Sequence, residues 1–125
     1  MKNIAIIGSG SWGVALAIHL AKNGHKIKIW SYEKEEADLI NNQRKCKFLP
    51  NVEIPDIECK LDYEEVIKGA DLILQVTPSK FTRNIVRQYA KYVDVKKQPI
   101  IVCSKGIEKE TTLTLDEVIL QEIPN

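Results

Sequence analysis

Three glycines, Gly8, Gly10 and Gly13, stand where an apolar run gives way to a helical pattern. The run before them, Asn3–Ile7, is short and rich in β-branched residues, which reads as a strand. From Ser11 to Lys22 the apolar residues Val14, Ala17, Ile18 and Ala21 share one helical face, and Asn23-Gly24 supplies the stop. Lys26–Trp30 then alternates polar and apolar residues as a second strand. A strand that turns through glycines into a helix and returns as a strand is a βαβ unit, whose strands pair in parallel.

The rest of the chain repeats that alternation. Lys34–Gln43 reads as a helix with Leu39 and Ile40 inward. Pro50 and Pro55 keep the next stretch in loop, with a short strand expected at Ile57–Cys59. Asp62 and Glu65 resemble a capping box opening a helix that ends at Gly69. Ala70–Val76 is a buried strand, Lys80–Tyr92 a helix and Ile100–Cys103 a strand; Thr114 with Glu117 caps a final helix. This order predicts an α/β fold, a doubly wound parallel sheet with helices on both faces. Such sheets take ligands at the carboxyl ends of the strands, where the winding reverses. That point is expected between the strands ending at Ile7 and Val76, where the loops "GSGSWG", "TPSKF" and "SKGIE" converge.

G-x-G-x-x-G alone is a weak signal, but here it follows a strand, opens a helix and precedes a second strand. Gly8 permits the tight turn, Gly10 lets a pyrophosphate approach the backbone, and Gly13 lets the helix pack closely. Unpaired N–H groups around Ser9, Ser11 and Trp12 then face the phosphates, with the helix dipole behind them. A glycine-rich turn without ligand is the alternative, and in this context dinucleotide binding prevails.

Composition narrows the setting. The 125 residues suit one domain, and a net charge of +1 gives no general pull toward nucleic acid or an anionic membrane. No apolar run has the length of a membrane span, and the start lacks a signal-peptide core. Cys46, Cys59 and Cys103 form no C-x-x-C pair and read as reduced, unligated thiols of a cytoplasmic protein, with Cys103 a small core residue.

Cofactor choice turns on the end of the second strand, where NAD-preferring domains place an acid on the ribose 2′-OH. The deciding position is Ser31, followed by Tyr32; Glu33 reads instead as the start of the next helix. A carboxylate ~4 Å from a 2′-phosphate costs about 4 kcal/mol at an effective dielectric of ~20. Its absence at Ser31 places NADP(H) modestly ahead of NAD(H), with Lys34 or Arg44 as sources of positive charge.

With "GSGSWGVALA", "FLPNVEIP", "TPSKFTRNIVRQ" and "SKGIEKET" in order, the whole chain resembles the N-terminal domain of bacterial NAD(P)-dependent glycerol-3-phosphate dehydrogenases. The resemblance implies a cytoplasmic oxidoreductase that interconverts dihydroxyacetone phosphate and glycerol 3-phosphate by hydride transfer for phospholipid synthesis, with a parent homodimer, no nucleic acid partner and no membrane insertion. By position, Ser11 and Trp12 contact the cofactor, Tyr32 and Glu33 take the adenosine side, and Phe48, Pro78 and Phe81 line the site. Many members carry an arginine where Tyr32 and Glu33 stand, which weakens the assignment of 2′-phosphate contacts. Core packing is the competing role for Phe81.

Lys105 is the residue the resemblance marks as touching both substrate and cofactor, and an ammonium there suits a phosphate or a carbonyl accepting hydride. His19 and His25 read as structural. Members of the family continue into a helical domain that brings the principal catalytic lysine with an Asn beside it. The chain ends at "LQEIPN", so it is expected to bind cofactor without turning over substrate alone. The alternative is a non-catalytic NAD(P)-sensing regulatory Rossmann module, since fold does not imply function.

Overall fold

In the computed structural model, which describes residues 1–46, 52, 54–55, 57–104 and 106–123, the strands are β1 (Asn3–Ile7), β2 (Lys26–Trp30), β3 (Glu58–Lys60), β4 (Leu72–Gln75) and β5 (Ile100–Val102). They form a parallel sheet in the order β3-β2-β1-β4-β5, so the winding reverses between β1 and β4, as the alternation predicts. The helices are α1 (Ser11–Lys22), α2 (Lys34–Asp38), α3 (Tyr63–Ile67), α4 (Ser79–Tyr89) and α5 (Leu115–Glu122).

The unbroken apolar run of β1 follows from its central place, because both of its faces are covered. Ile4 and Ile6 join Ile27, Ile29 and Leu74 under Val14, Ala17 and Ile18 of α1 and Ala37 of α2. Ala5 and Ile7 point the other way, joining Ile73 under Val66 of α3, Val86 and Tyr89 of α4 and Ile119 of α5. Gln75 is fully buried at the end of β4, where an unpaired amide is costly. Its oxygen accepts from the Tyr89 hydroxyl at 2.6 Å, and its amide nitrogen donates to the Thr77 hydroxyl. That network stiffens the strand end beneath the loops.

Several elements depart from their expected bounds or form: β4, α4 and β5 are each shorter than the expected Ala70–Val76, Lys80–Tyr92 and Ile100–Cys103, and three others differ as well. The second helix continues past Asp38 as a wider π-type turn, Leu39–Gln43, closed by Arg44 in the left-handed region (φ 54°). Within it Asn41 brackets the backbone of Cys59, donating to its carbonyl (2.8 Å) and accepting from its N–H (2.7 Å). β3 begins one residue later than expected, with Glu58 in register with Lys28. Asp62 caps α3 by accepting from the Glu64 N–H at 3.0 Å, one residue short of the capping-box pattern. At α5 the carboxylate of Glu117 does reach back to the N–H and hydroxyl of Thr114 (3.2 and 2.7 Å).

Candidate functional site

At the carboxyl edge of the sheet the ends of β1, β4 and β5 open into a cavity of about 980 Å³. The glycine loop forms its floor. Gly8 has φ +134°, and an added Cβ would lie 3.1 Å from the carbonyl carbon of Val76, so the loop presses against the end of β4. A Cβ on Gly13 would strike the carbonyl oxygen of Gly8, and Ile6 lies behind it. Gly13 therefore docks the first turn of α1 onto the end of β1.

Gly10 is different. Its φ of −70° suits any residue, and an added Cβ would meet nothing of the chain within 4 Å. Nothing internal requires glycine there; the free space lies over the opening of α1. The first hydrogen bond of α1 runs from the Val14 N–H to the Gly10 carbonyl (3.0 Å), which leaves the amides of Ser11, Trp12 and Gly13 ahead of the ladder. No side chain caps this end. Such a cradle fits a pyrophosphate, whose charge complements the positive end of the helix dipole.

Around that floor the expected residues divide. Gly8, Ser9, Gly10, Ser11, Trp12 and Gly13 all line the cavity, as do Tyr32, Glu33, Pro78 and Phe81. Trp12 is 58% exposed and donates its indole N–H to the Cys103 carbonyl at 3.2 Å, tying the glycine loop to the end of β5. Phe81 is 48% exposed on the wall, so core packing is not its role. Pro78 precedes α4, and its carbonyl accepts from Phe81 N–H and the Thr82 hydroxyl (2.9 and 3.3 Å). Glu33 starts α2 as expected. Cys103 is half-buried and lines the cavity as well as touching the core, a wider role than the sequence suggests. Phe48 and Lys105 lie outside the described residues.

Ser31 is buried beneath the wall, at 1% exposure. Its hydroxyl oxygen accepts from the Glu33 N–H (3.2 Å) and lies 2.9 Å from the Ser9 hydroxyl. The same oxygen is 3.2 Å from a carboxylate oxygen of Glu36, which also accepts from Ser9 at 2.5 Å. Sequence reasoning passed over Glu36, although it lies in the first turn of the helix that follows Glu33. It also passed over Asn84 and Gln88 on the wall; with Phe81 and Ile85 they sit at i, i+3, i+4 and i+7, one stripe of α4.

Two of the three thiols are held protonated by their surroundings. Burial, then the charge of Glu36, pushes Cys59 up to about 12, and burial raises Cys103, so both stay protonated at neutral pH. Among the described residues no group of three His, Cys, Asp or Glu side chains could hold a metal ion.

Residues 3–125 match the family described as the NAD-dependent glycerol-3-phosphate dehydrogenase N-terminus. The chain belongs to that family. It is 42% identical to an NAD(P)+ glycerol-3-phosphate dehydrogenase of Agathobacter rectalis, over 99% of this chain and 37% of that protein. It is 40% identical to the enzyme of that name from Fusobacterium nucleatum, over 98% of this chain and 37% of the other. The crystal structure of glycerol-3-phosphate dehydrogenase from Coxiella burnetii matches with a TM-score of 0.91 at 32% identity, covering 99% of this chain and 38% of that one. This member of the dehydrogenase family thus spans a little over a third of the length of the relatives it matches.

Proposed function

We propose that the chain is the cofactor-binding part of a glycerol-3-phosphate dehydrogenase, which moves hydride between NAD(P)H and dihydroxyacetone phosphate or glycerol 3-phosphate. The observation that carries the reading is Gly10, a glycine with no internal cause, set over uncapped amides at the start of α1. In this reading the amides of Ser11, Trp12 and Gly13 hold the pyrophosphate. Tyr32, Glu33 and Glu36 flank the adenosine side, while Pro78 and Phe81 form the facing wall. The bound nicotinamide supplies the hydride. Lys105 supplies positive charge to the phosphate or carbonyl of the substrate, a role that follows from the family resemblance.

The relatives named here are nearly three times as long as the match, so we place the remaining substrate contacts in residues beyond it. The reading includes a cytoplasmic setting, a homodimeric parent and no nucleic acid partner. In its support, no helix among the described residues is long and apolar enough to cross a membrane, and the net charge is only +1.

Titration of the chain with NADH and with NADPH, followed by the fluorescence of Trp12 and Trp30, tests the cofactor role. A saturable change with at least one of them is expected, and no reduction of dihydroxyacetone phosphate by the chain alone. Gly10→Ala should leave the melting temperature unchanged yet weaken binding about tenfold or more, a loss of roughly 1.4 kcal/mol. Unchanged affinity in Gly10→Ala, or no response to either nucleotide in the unaltered chain, rules the cradle out.

A further inference from the structure

We infer that Glu36 makes this chain select the dinucleotide whose adenosine ribose is unphosphorylated, NAD(H), over its 2′-phosphorylated counterpart. The inference rests on the cofactor-binding reading above and reverses the preference expected from Ser31 alone. β2 ends at Trp30, and the side chain that follows, Ser31, is too short to reach the cavity. Its small size leaves room for a carboxylate from another element. Glu36, on the first helix after the strand, fills that room and is held there by Ser31 at 3.2 Å and by Ser9 of the glycine loop at 2.5 Å. The acid usually found at the strand end is thus delivered from α2.

Charge in the cavity points the same way. Two carboxylates, those of Glu33 and Glu36, line it. Lys34 is exposed, on the helix between these two acids. A ribose hydroxyl can donate to the Glu36 carboxylate, whereas a 2′-phosphate can only accept, and it adds negative charge beside an existing one. Ser9 couples this choice to the pyrophosphate floor, because one hydroxyl spans the loop and the acid.

The test is a pair of titrations, NADH and NADPH, on the unaltered chain and on Glu36→Gln, read by tryptophan fluorescence or by heat. The unaltered chain should bind NADH at least about tenfold tighter than NADPH. Glu36→Gln should bring the two within about threefold, mainly by strengthening NADPH, because the amide removes the charge and adds a donor. Equal or tighter binding of NADPH by the unaltered chain overturns the inference, and that result stands even if the variant fails to fold. A folded Glu36→Gln with an unmoved ratio overturns it as well. Binding of NADPH alone spares the cofactor role and sinks only the selection; binding of neither removes both.

Discussion

Gly13→Ala should lower the stability of the chain by about 1–3 kcal/mol and abolish NADH binding with it. The sign is informative because helix propensity argues the other way. An alanine inside a helix is worth about 1 kcal/mol over glycine, and Gly13 lies within α1 at a backbone angle open to any residue. The added methyl, however, would run into the carbonyl oxygen of Gly8. That oxygen belongs to backbone held on both sides. The Gly8 N–H donates to the Trp30 carbonyl at 3.1 Å, and the Gly8 α-carbon is pressed against the end of β4. No side-chain rotation relieves the clash, so α1 must lift from the sheet, taking with it Val14, Ala17 and Ile18 of the core. Urea unfolding followed by circular dichroism is the direct measurement. A midpoint equal to or above that of the unaltered chain would show that propensity outweighs contact and that α1 is not docked as described. Beside Gly10→Ala, which should lose ligand without losing stability, this variant separates the glycine the fold needs from the one a ligand needs.

Much of the architecture could be read from the chain because its signals are local. The apolar run of β1, the Asn23-Gly24 stop and the Thr114–Glu117 box each lie within a dozen residues, and each element formed where expected. The glycine loop was legible for the same reason. What escaped depended on distance in the sequence. Glu36 meets Ser9 across 27 residues. The bracketing of Cys59 by Asn41 spans 18, and no periodicity encodes it. Phe81 could not be assigned to core or wall from its neighbours, since an aromatic at helical spacing fits both; its exposure beside the glycine loop decides for the wall. The stripe Phe81, Asn84, Ile85 and Gln88 was readable in principle, but polar residues on a helix ordinarily face solvent. Only the cavity shows that this face looks onto the ligand edge.

Arg83→Met is expected to lower the melting temperature by several degrees at neutral pH and to flatten the loss of stability in acid. Arg83, on α4, meets the carboxylate of Glu108 with two nitrogens (2.8 and 3.0 Å), that of Glu122 with a third contact (2.7 Å) and the Gln121 side chain at 2.8 Å. Arg87 adds two contacts to Glu122 (2.9 and 3.0 Å). One guanidinium thus joins α4 to α5 and to the loop after β5 that carries the "SKGIE" motif. Glu108 is only 8% exposed, so losing its fork-shaped partner strands a carboxylate with little water around it. Hydrogen bonds from Arg83 and then Thr111 hold Glu108 below the usual carboxylate range, and Arg87 with Arg83 holds Glu122 down to about 2. Both acids bind protons less readily folded than unfolded, so their contribution is complete above the ordinary value of 4.5 and is lost as pH falls toward 2. The gap between the two proteins should therefore be widest near neutrality and shrink steadily below pH 4.5, because protonation removes from the unaltered chain what the substitution has already removed. Arg83→Lys should recover only part of it, since a point charge cannot match the fork on Glu108. Thermal melts between pH 7 and pH 2.5 measure this; a gap that stays constant, or widens in acid, would mean that the arginine acts through packing of its stem and not through the pair of carboxylates.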